Sequence, residues 1–415
     1  MTNGVSENPG HIVIVGAGVA GVNAAQAARK TSPSSRITLI SKERHLPYYR
    51  INLTRYIAGE IRADGLNLHP PEWYRSNGIT LLLGKEMCSI DQSNKQLRLR
   101  GGEKLEYDRL IVTTGAHCFV PPIPGVHREN VVSFRTKDDA DYIVEKCKSS
   151  ENVIVIGGGT LGLEAAGAIA QSTSCTVTVI ESCRWLIPRQ LNETAAHFLQ
   201  RYITSLGINL IIDKQIKKIA GDECVRGVQL TDGTTVPADL VIIATGICSN
   251  TYLPATAGLA VSNGVVVDDY LRSSQKDIFA AGDVVEHEGI RYGLWVPAQQ
   301  QGKVAGANAA GGETLFTNYP PSNMLKVLGY TMLSIGCIDD GNGTLQKIEK
   351  QAGDDRYYYL VFNHKRIVGA ILMGKNPYSS HVKRTVEKEV DCSEILEKTT
   401  DAEEILEFLK GQGRE

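Results

Sequence analysis

The chain has 415 residues, a formal net charge of -2 at pH 7 and a pI near 6.5. That length exceeds one ordinary core, so two or three domains are expected. The 44 basic residues do not exceed the 46 acidic ones, which argues against nucleic acid or an anionic membrane as a partner.

The leader MTNGVSENPG is polar and has no apolar core, and no apolar run elsewhere reaches spanning length. Neither a secretory signal nor a membrane span is therefore expected, and a cytoplasmic protein is. The nine cysteines are scattered, the nearest two eight positions apart. No metal centre built by this chain alone is expected, and reduced thiols in a reducing compartment are.

Taken in order, the chain begins with HIVIVGAGVAG from His11 to Gly21, a β-branched apolar run that breaks into G-x-G-x-x-G and then a small-residue helix. Gly16, Gly18 and Gly21 permit a tight turn, close approach of backbone to a pyrophosphate, and close packing of helix on strand. The pyrophosphate would rest on the N–H groups of the helix N-terminus, where the dipole favours negative charge. RITLI from Arg36 to Ile40 reads as the next strand, with Glu43 just past its end to accept ribose hydroxyls. The loop from Glu43 to Glu60 is rich in tyrosine and places Arg50 and Arg55 among them. A solvated surface loop and a ligand loop are the competing readings. Strands follow near Ile79–Leu83 and Gln96–Arg100. DRLIVTTGA then ends a strand in Thr-Gly at Gly115, and FVPPIPG is a stiff connector suited to a domain crossing.

The scheme repeats. A helix is expected around Asp139–Cys147, then VIVIGGGTLGLE from Val153 to Glu164 carries Gly157, Gly159 and Gly162. TVTVI runs directly into Glu181, which would hold an adenosine ribose and repel a 2′-phosphate, favouring NAD over NADP, although Arg184 lies near enough to receive one. A helix near Glu193–Leu206 and the strand DLVIIATGI, ending in Thr-Gly at Gly246, close this second module as DRLIVTTGA closes the first. One glycine motif is a weak signal; two, each with its second strand and acidic residue, are a strong one.

DIFAAGDVVEHEG then delivers Asp283 to a strand end, where it would bind ligand hydroxyls or cap the next helix. GLWVPAQQQGKVAGANAAG continues into a small-residue helix that carries Trp295 and Gln299 near its start. In the last hundred residues TMLSIGCI, RYYYLVFN and RIVGAILMG read as antiparallel strands, with turns at Asp340-Gly341 and Asn363-His364. The end, from about His381 to Leu409, is amphipathic; core-facing helices are favoured over a membrane helix, and a docking or dimer surface is the alternative. The expected architecture is α/β: two Rossmann-like nucleotide-binding modules, the second inserted in the first, plus a C-terminal α+β domain. Its boundaries fall at 1–120 and 240–315 for the first module, 121–239 for the second, and 316–415 for the last domain.

The order GAGVAG, PYYR, TTG, GGGTLGLE, ATG, IFAAGDVVE resembles the FAD- and NAD(P)-dependent pyridine nucleotide-disulfide oxidoreductase superfamily over essentially the first 310 residues. Within it, LPYYRINLTRYIAGE with GDVVEHEGIRYGLWVPAQQQGKVAG is similar to NADH:rubredoxin oxidoreductases and the flavin-binding part of NAD(P)H nitrite reductases. The resemblance implies that Gly16, Gly18, Gly21, Glu43, Arg50, Gly115, Asp283, Trp295 and Gln299 serve FAD. It likewise implies that Gly157, Gly159, Gly162, Glu181 and Gly246 serve NAD(H), with Glu164 orienting the nicotinamide amide. A helix-surface glutamate near the dipole is the other reading of Glu164. Arg55 falls where ferredoxin-reducing relatives carry a lysine beside the flavin, and arginine keeps the charge with a different shape.

The loop His45–Ala58 has no cysteine, whereas disulfide reductases of this superfamily carry a redox-active cysteine pair next to the flavin and its NADH peroxidases and oxidases often a single one early in the first domain. The cluster-binding cysteines of a complete nitrite reductase are absent as well. The resemblance therefore implies an oxidoreductase passing electrons from NADH through FAD to a small iron-sulfur or rubredoxin-type carrier, with room for a homodimer. Its rivals are an NADH oxidase using dioxygen and an NADH-sensing FAD protein with a binding or signalling role.

Overall fold

The computed structural model describes residues 9–317, 322–339 and 341–412. The polar leader, through residue 8, and Asp340 of the expected Asp340-Gly341 turn lie outside the described residues. The chain forms two compact units. One contains the chain through Phe119, the short segment Arg135–Ala140, and the stretch from Ile247 through Thr317; the other contains Val120–Phe134, Asp141–Gly246 and the C-terminal region.

In the first unit, β-branched residues that can be buried on both faces build a parallel five-stranded sheet. Its strand order is Ile278–Ala280, Arg109–Val112, His11–Val15, Arg36–Ile40, Ile79–Leu82. His11 pairs with Arg36 and Ile12 with Arg109, so the first glycine loop leaves from the middle strand. An antiparallel meander of Met87–Asp91, Gln96–Leu99 and Lys104–Glu106 follows the outer strand in sequence. The helix Val19–Thr31 packs against the helix Trp295–Ala309 at backbone distance. A Cβ on Gly302 would lie 2.2 Å from the Ala20 carbonyl oxygen, and one on Gly306 2.1 Å from that of Ala24. Small residues on both helices are the reason they approach so closely.

The second unit repeats this plan. Its parallel sheet runs Asn209–Ile212, Thr176–Glu181, Asn152–Ile156, Leu240–Ile243, Val131–Ser133, and its meander is Ile216–Gly221, Val225–Leu230, Thr235–Pro237. Because Leu240–Ile243 pairs with Asn152–Ile156, the chain leaves this unit after Gly246 and not at residue 240. Arg135–Ala140, expected in the second module, groups with the first unit instead.

The C-terminal region is an antiparallel sheet in the order Ser322–Val327, Tyr330–Gly336, Arg366–Met373, Tyr357–Asn363, Gln346–Gln351. The expected Asn363-His364 turn is centred on His364 and Lys365, both with positive φ (46° and 66°), between the paired residues Asn363 and Arg366. Helices Ser379–Glu387, Ser393–Leu396 and Ala402–Gln412 cover one face, and Ile405, Leu406 and Leu409 are fully buried there. This region groups with the second unit and not as a separate body. The Tyr357 ring stacks on Phe198 with centroids 5.7 Å apart, Asn192 Nδ2 donates to the Tyr357 hydroxyl at 2.8 Å, and the Ser334 hydroxyl donates to the Gln190 carbonyl at 2.6 Å. No described helix is long and apolar enough to cross a membrane.

Candidate functional site

The two glycine loops are built alike down to single hydrogen bonds. Gly16 has φ +109° and Gly157 φ +112°, which L side chains rarely adopt. Gly16 N–H donates to the Ile40 carbonyl at 2.8 Å and Gly157 N–H to that of Ile180 at 2.9 Å. A Cβ on Gly21 would lie 1.9 Å from the Gly16 carbonyl oxygen, and one on Gly162 2.1 Å from that of Gly157, so the third glycine lets the helix sit on the turn. Gly18 and Gly159 differ from these: a Cβ on either would meet no atom within 4 Å, although each begins a helix with no side-chain cap. Free N–H groups, a positive helix end and open space above the middle glycine make a cradle that fits a pyrophosphate.

The turns that close each module support the loops. The Thr113 hydroxyl lies 2.7 Å from the Gly16 carbonyl oxygen, and Gly115 (φ +66°) follows; in the second module Ala244 and Gly246 (φ +107°) take the same places.

The two acidic residues come out differently. Glu181 is the last residue of its strand and only 8% exposed. Its Oε2 accepts from Gly158 N–H at 2.7 Å and its Oε1 from Cys183 N–H at 2.7 Å, so this carboxylate braces the glycine loop itself. Glu43 lies three residues past its strand and turns elsewhere: Oε1 accepts from Arg50 Nη2 at 2.6 Å and Oε2 from the Tyr48 hydroxyl at 2.7 Å. Burial pushes the Tyr48 phenol well above its ordinary range, so it stays a donor.

Around Arg50 the first unit assembles a charged network. Arg50 Nη1 donates to the Arg135 carbonyl at 2.5 Å, and Arg135 Nη2 lies 2.7 Å from Asp283 Oδ2. Arg135 is fixed in turn by Asp139, whose Oδ2 accepts from the N–H groups of Arg135 and Thr136 at 2.9 and 2.7 Å. Asp139 N–H donates back to Thr136 Oγ1 at 3.2 Å. That is a reciprocal capping box, T-x-x-D, at the start of the helix Lys137–Cys147.

Asp283 follows Gly282, which has φ +84° and whose N–H donates to Gln301 Oε1 at 2.9 Å. Gln301 is 1% exposed, yet its Nε2 finds no hydrogen-bond partner among the described residues, and neither does the buried Thr114 Oγ1. Orphaned polar atoms at such depth are costly unless a ligand or water meets them. Together with the open cradle, they fit a flavin dinucleotide held by the first unit.

Trp295 opens the helix Trp295–Ala309, and its ring stacks on Tyr49 with centroids 5.5 Å apart; Gln299 lies one turn later and is half-buried. Arg55, on the short helix Leu53–Ile57, has a side chain 55% exposed and pairs through Nε with Glu60 at 2.9 Å. Glu164 is half-buried on the helix Thr160–Ser172, and its Oε1 accepts from Leu328 N–H at 2.9 Å. Leu328 (φ +52°) and Gly329 (φ +88°) form the turn between two C-terminal strands, so Glu164 holds that turn.

Sequence reasoning missed Tyr48, Thr114, Arg135, Asp139 and Gln301. The T-x-x-D box beside Arg135 was a readable signal; for Gln301, one glutamine among three in a row, nothing in the sequence marked the buried one.

Comparison with known proteins agrees with this construction. The pyridine nucleotide-disulphide oxidoreductase profile matches residues 10–302, and the rubredoxin NAD+ reductase C-terminal domain matches residues 321–390. A nitrite reductase [NAD(P)H] of Bacillus subtilis is 34% identical over 92% of this chain and 48% of its own length. The NADH-rubredoxin oxidoreductase of Clostridium acetobutylicum is 31% identical over 96% of this chain and 99% of its own. The crystal structure of NADH:rubredoxin oxidoreductase from that organism superposes with a TM-score of 0.82 at 30% identity, covering 94% of this chain and 99% of that one. A ferredoxin reductase from Rhodopseudomonas palustris superposes with a TM-score of 0.85 at 25% identity, covering 97% of this chain and 100% of that one. The chain spans about half the length of the first curated relatives it matches. It belongs to the pyridine nucleotide-disulphide oxidoreductase family.

Proposed function

We propose that this protein is a flavoprotein reductase that takes electrons from NADH and passes them through FAD to a small iron protein of the rubredoxin or ferredoxin class. The observation that carries the reading is the pair of matched dinucleotide cradles, each with an open middle glycine at Gly18 or Gly159. The cysteine-free loop from His45 to Ala58 separates it from relatives that work through a thiol. The names of the rubredoxin and ferredoxin reductases above support an iron protein as the acceptor.

FAD supplies the step between a two-electron donor and a one-electron acceptor. The chain supplies placement and electrostatics. Gly16, Gly18 and Gly21 leave room for the FAD pyrophosphate, with Gly115 in the supporting turn, and Asp283 presents a carboxylate to the ribityl hydroxyls. Arg50 and Arg135 set guanidinium donors in this unit, each balanced by the carboxylate it pairs with, Glu43 or Asp283. Trp295 and Gln299 stand at the helix start that meets the pyrimidine edge. On the second unit Gly157, Gly159, Gly162 and Gly246 receive NADH, and Glu181 favours it over NADPH. Glu164 orients the nicotinamide side while tying down the Leu328 turn. Arg55 offers an exposed cation to an acidic carrier. The nine cysteines, none joined in a disulfide, suit a cytoplasmic setting.

Anaerobic stopped-flow absorbance tests the whole reading. The yellow protein is mixed with NADH or NADPH, then with oxidised rubredoxin, ferredoxin or air-saturated buffer. Rapid bleaching by NADH and fast reoxidation only by an iron protein is the expected result. Fast reoxidation by air alone makes the protein an oxidase, and a stable reduced complex under every condition makes it an NADH-binding sensor.

A further inference from the structure

Cys147 closes the helix Lys137–Cys147, and Cys175 sits in the turn between the helix Thr160–Ser172 and the strand Thr176–Glu181. The Cys175 thiol donates to the Ser150 carbonyl oxygen at 3.1 Å and to that of Cys147 at 3.5 Å, which sets its sulfur against the Cys147 backbone.

The backbone on both sides is anchored. Ser150 Oγ donates to the Lys146 carbonyl at 2.9 Å, which folds the chain back after the helix. Cys175 N–H donates to Thr173 Oγ1 at 3.2 Å, and Thr176 N–H to the Glu151 carbonyl at 2.8 Å. Both cysteines are therefore carried by ordered backbone, with the Cys175 sulfur beside the Cys147 carbonyl.

We propose that Cys147 and Cys175 are a thiol modification site that closes to an intrachain disulfide when the protein meets a low-molecular-weight disulfide. Cys175, half-buried, attacks first and displaces one small thiol, leaving a mixed disulfide. Cys147 then loses its proton and attacks the Cys175 sulfur, displacing the second small thiol. Two S–H bonds break and one S–S bond forms; two electrons and two protons leave with the small disulfide, which is reduced to two thiols. Burial pushes the Cys147 thiol up to about 12, which suits a resolving partner better than the initial nucleophile.

The link ties a helix end to the turn that feeds the strand carrying Glu181, at the opposite end of that strand from the glycine loop. It therefore stiffens the second unit without touching the cradle. Neither the proposed acceptor nor the presence of flavin enters this inference.

The test incubates the full-length yellow protein with oxidised glutathione and maps its peptides without reduction. Expected is a Cys147–Cys175 crosslink lacking two hydrogens, reversed by dithiothreitol, and a Tm raised by several degrees in the oxidised form. Cys147→Ser and Cys175→Ser should each lose both effects. Cys147→Ala serves the same purpose where serine unfolds the buried site. Free, alkylatable thiols at both positions after treatment would overturn the proposal. So would glutathione retained on Cys175, a crosslink to other cysteines, or a crosslink that leaves Tm unchanged.

Discussion

Arg135 Nη2 lies 2.7 Å from Asp283 Oδ2, joining residues 148 positions apart. Both side chains are largely buried, at 18% and 19% exposure. Removing one partner leaves the other charge uncompensated, which in a buried pair costs about 3 kcal/mol. Arg135→Ala should therefore lower thermal stability, and Asp283→Asn, which keeps the shape, should weaken FAD binding by about tenfold. Flavin fluorescence on dilution reads the affinity. Unchanged FAD affinity in both variants would make the pair a structural brace only.

Glycines of one motif are expected to fail in different ways. A Cβ on Gly21 runs into the Gly16 carbonyl at 1.9 Å, so Gly21→Ala should destabilise the protein by about 3 kcal/mol or more. Gly18 has φ -75° and faces open space, so Gly18→Ala should leave the apoprotein within about 0.5 kcal/mol of wild type. Its added methyl would stand where the proposed pyrophosphate lies, and FAD affinity should fall by at least about tenfold. Apoprotein Tm and flavin titration separate the two; equal FAD affinity in Gly18→Ala and wild type would remove the cradle assignment.

This difference also shows what the sequence could and could not say. The parallel strands, glycine turns and duplicated plan were legible because local residue types specify them: β-branched runs, positive-φ glycines and small-residue helices. Long-range pairing was not. Glu43 and Glu181 look equivalent after their strands, but two extra residues let Glu43 reach Arg50 and Tyr48 while Glu181 stays on its loop. Likewise Glu164 sits inside a motif, yet its partner is a backbone N–H 164 residues away. Arg135 belongs by sequence to the second module and by contact to the first, a placement that only the folded chain reveals.

Arg55 is exposed and, among the described residues, pairs with the exposed Glu60, an ion pair worth at most about 1 kcal/mol. Arg55→Glu should therefore cost little stability and leave NADH affinity within about twofold of wild type. Transfer to an acidic iron protein should slow by about tenfold at low ionic strength, with the difference shrinking as salt screens the charges. Stopped-flow reoxidation across a salt series checks this. Equal losses in NADH binding and in transfer would remove Arg55 from the docking rim.

His11 gives the first sheet a pH dependence. Arg36 Nη2 can only donate, so His11 Nδ1 at 2.8 Å accepts, and the proton sits on Nε2, which donates to Thr38 Oγ1 at 2.8 Å. Burial, reinforced by the Arg36 charge, lowers the imidazole pKa from its ordinary 6.5. The folded state thus keeps His11 neutral where the unfolded chain takes a proton. The stabilisation is fully present above 6.5 and is lost as pH falls below it toward the folded-state value. Glutamine can accept from Arg36 and donate to Thr38 without titrating, so the Tm advantage of wild type over His11→Gln should shrink steadily between about pH 6.5 and pH 5, at no more than about 1.4 kcal/mol per pH unit. Parallel Tm curves for the two proteins over that range would mean that His11 takes its proton equally well in the folded and unfolded chain.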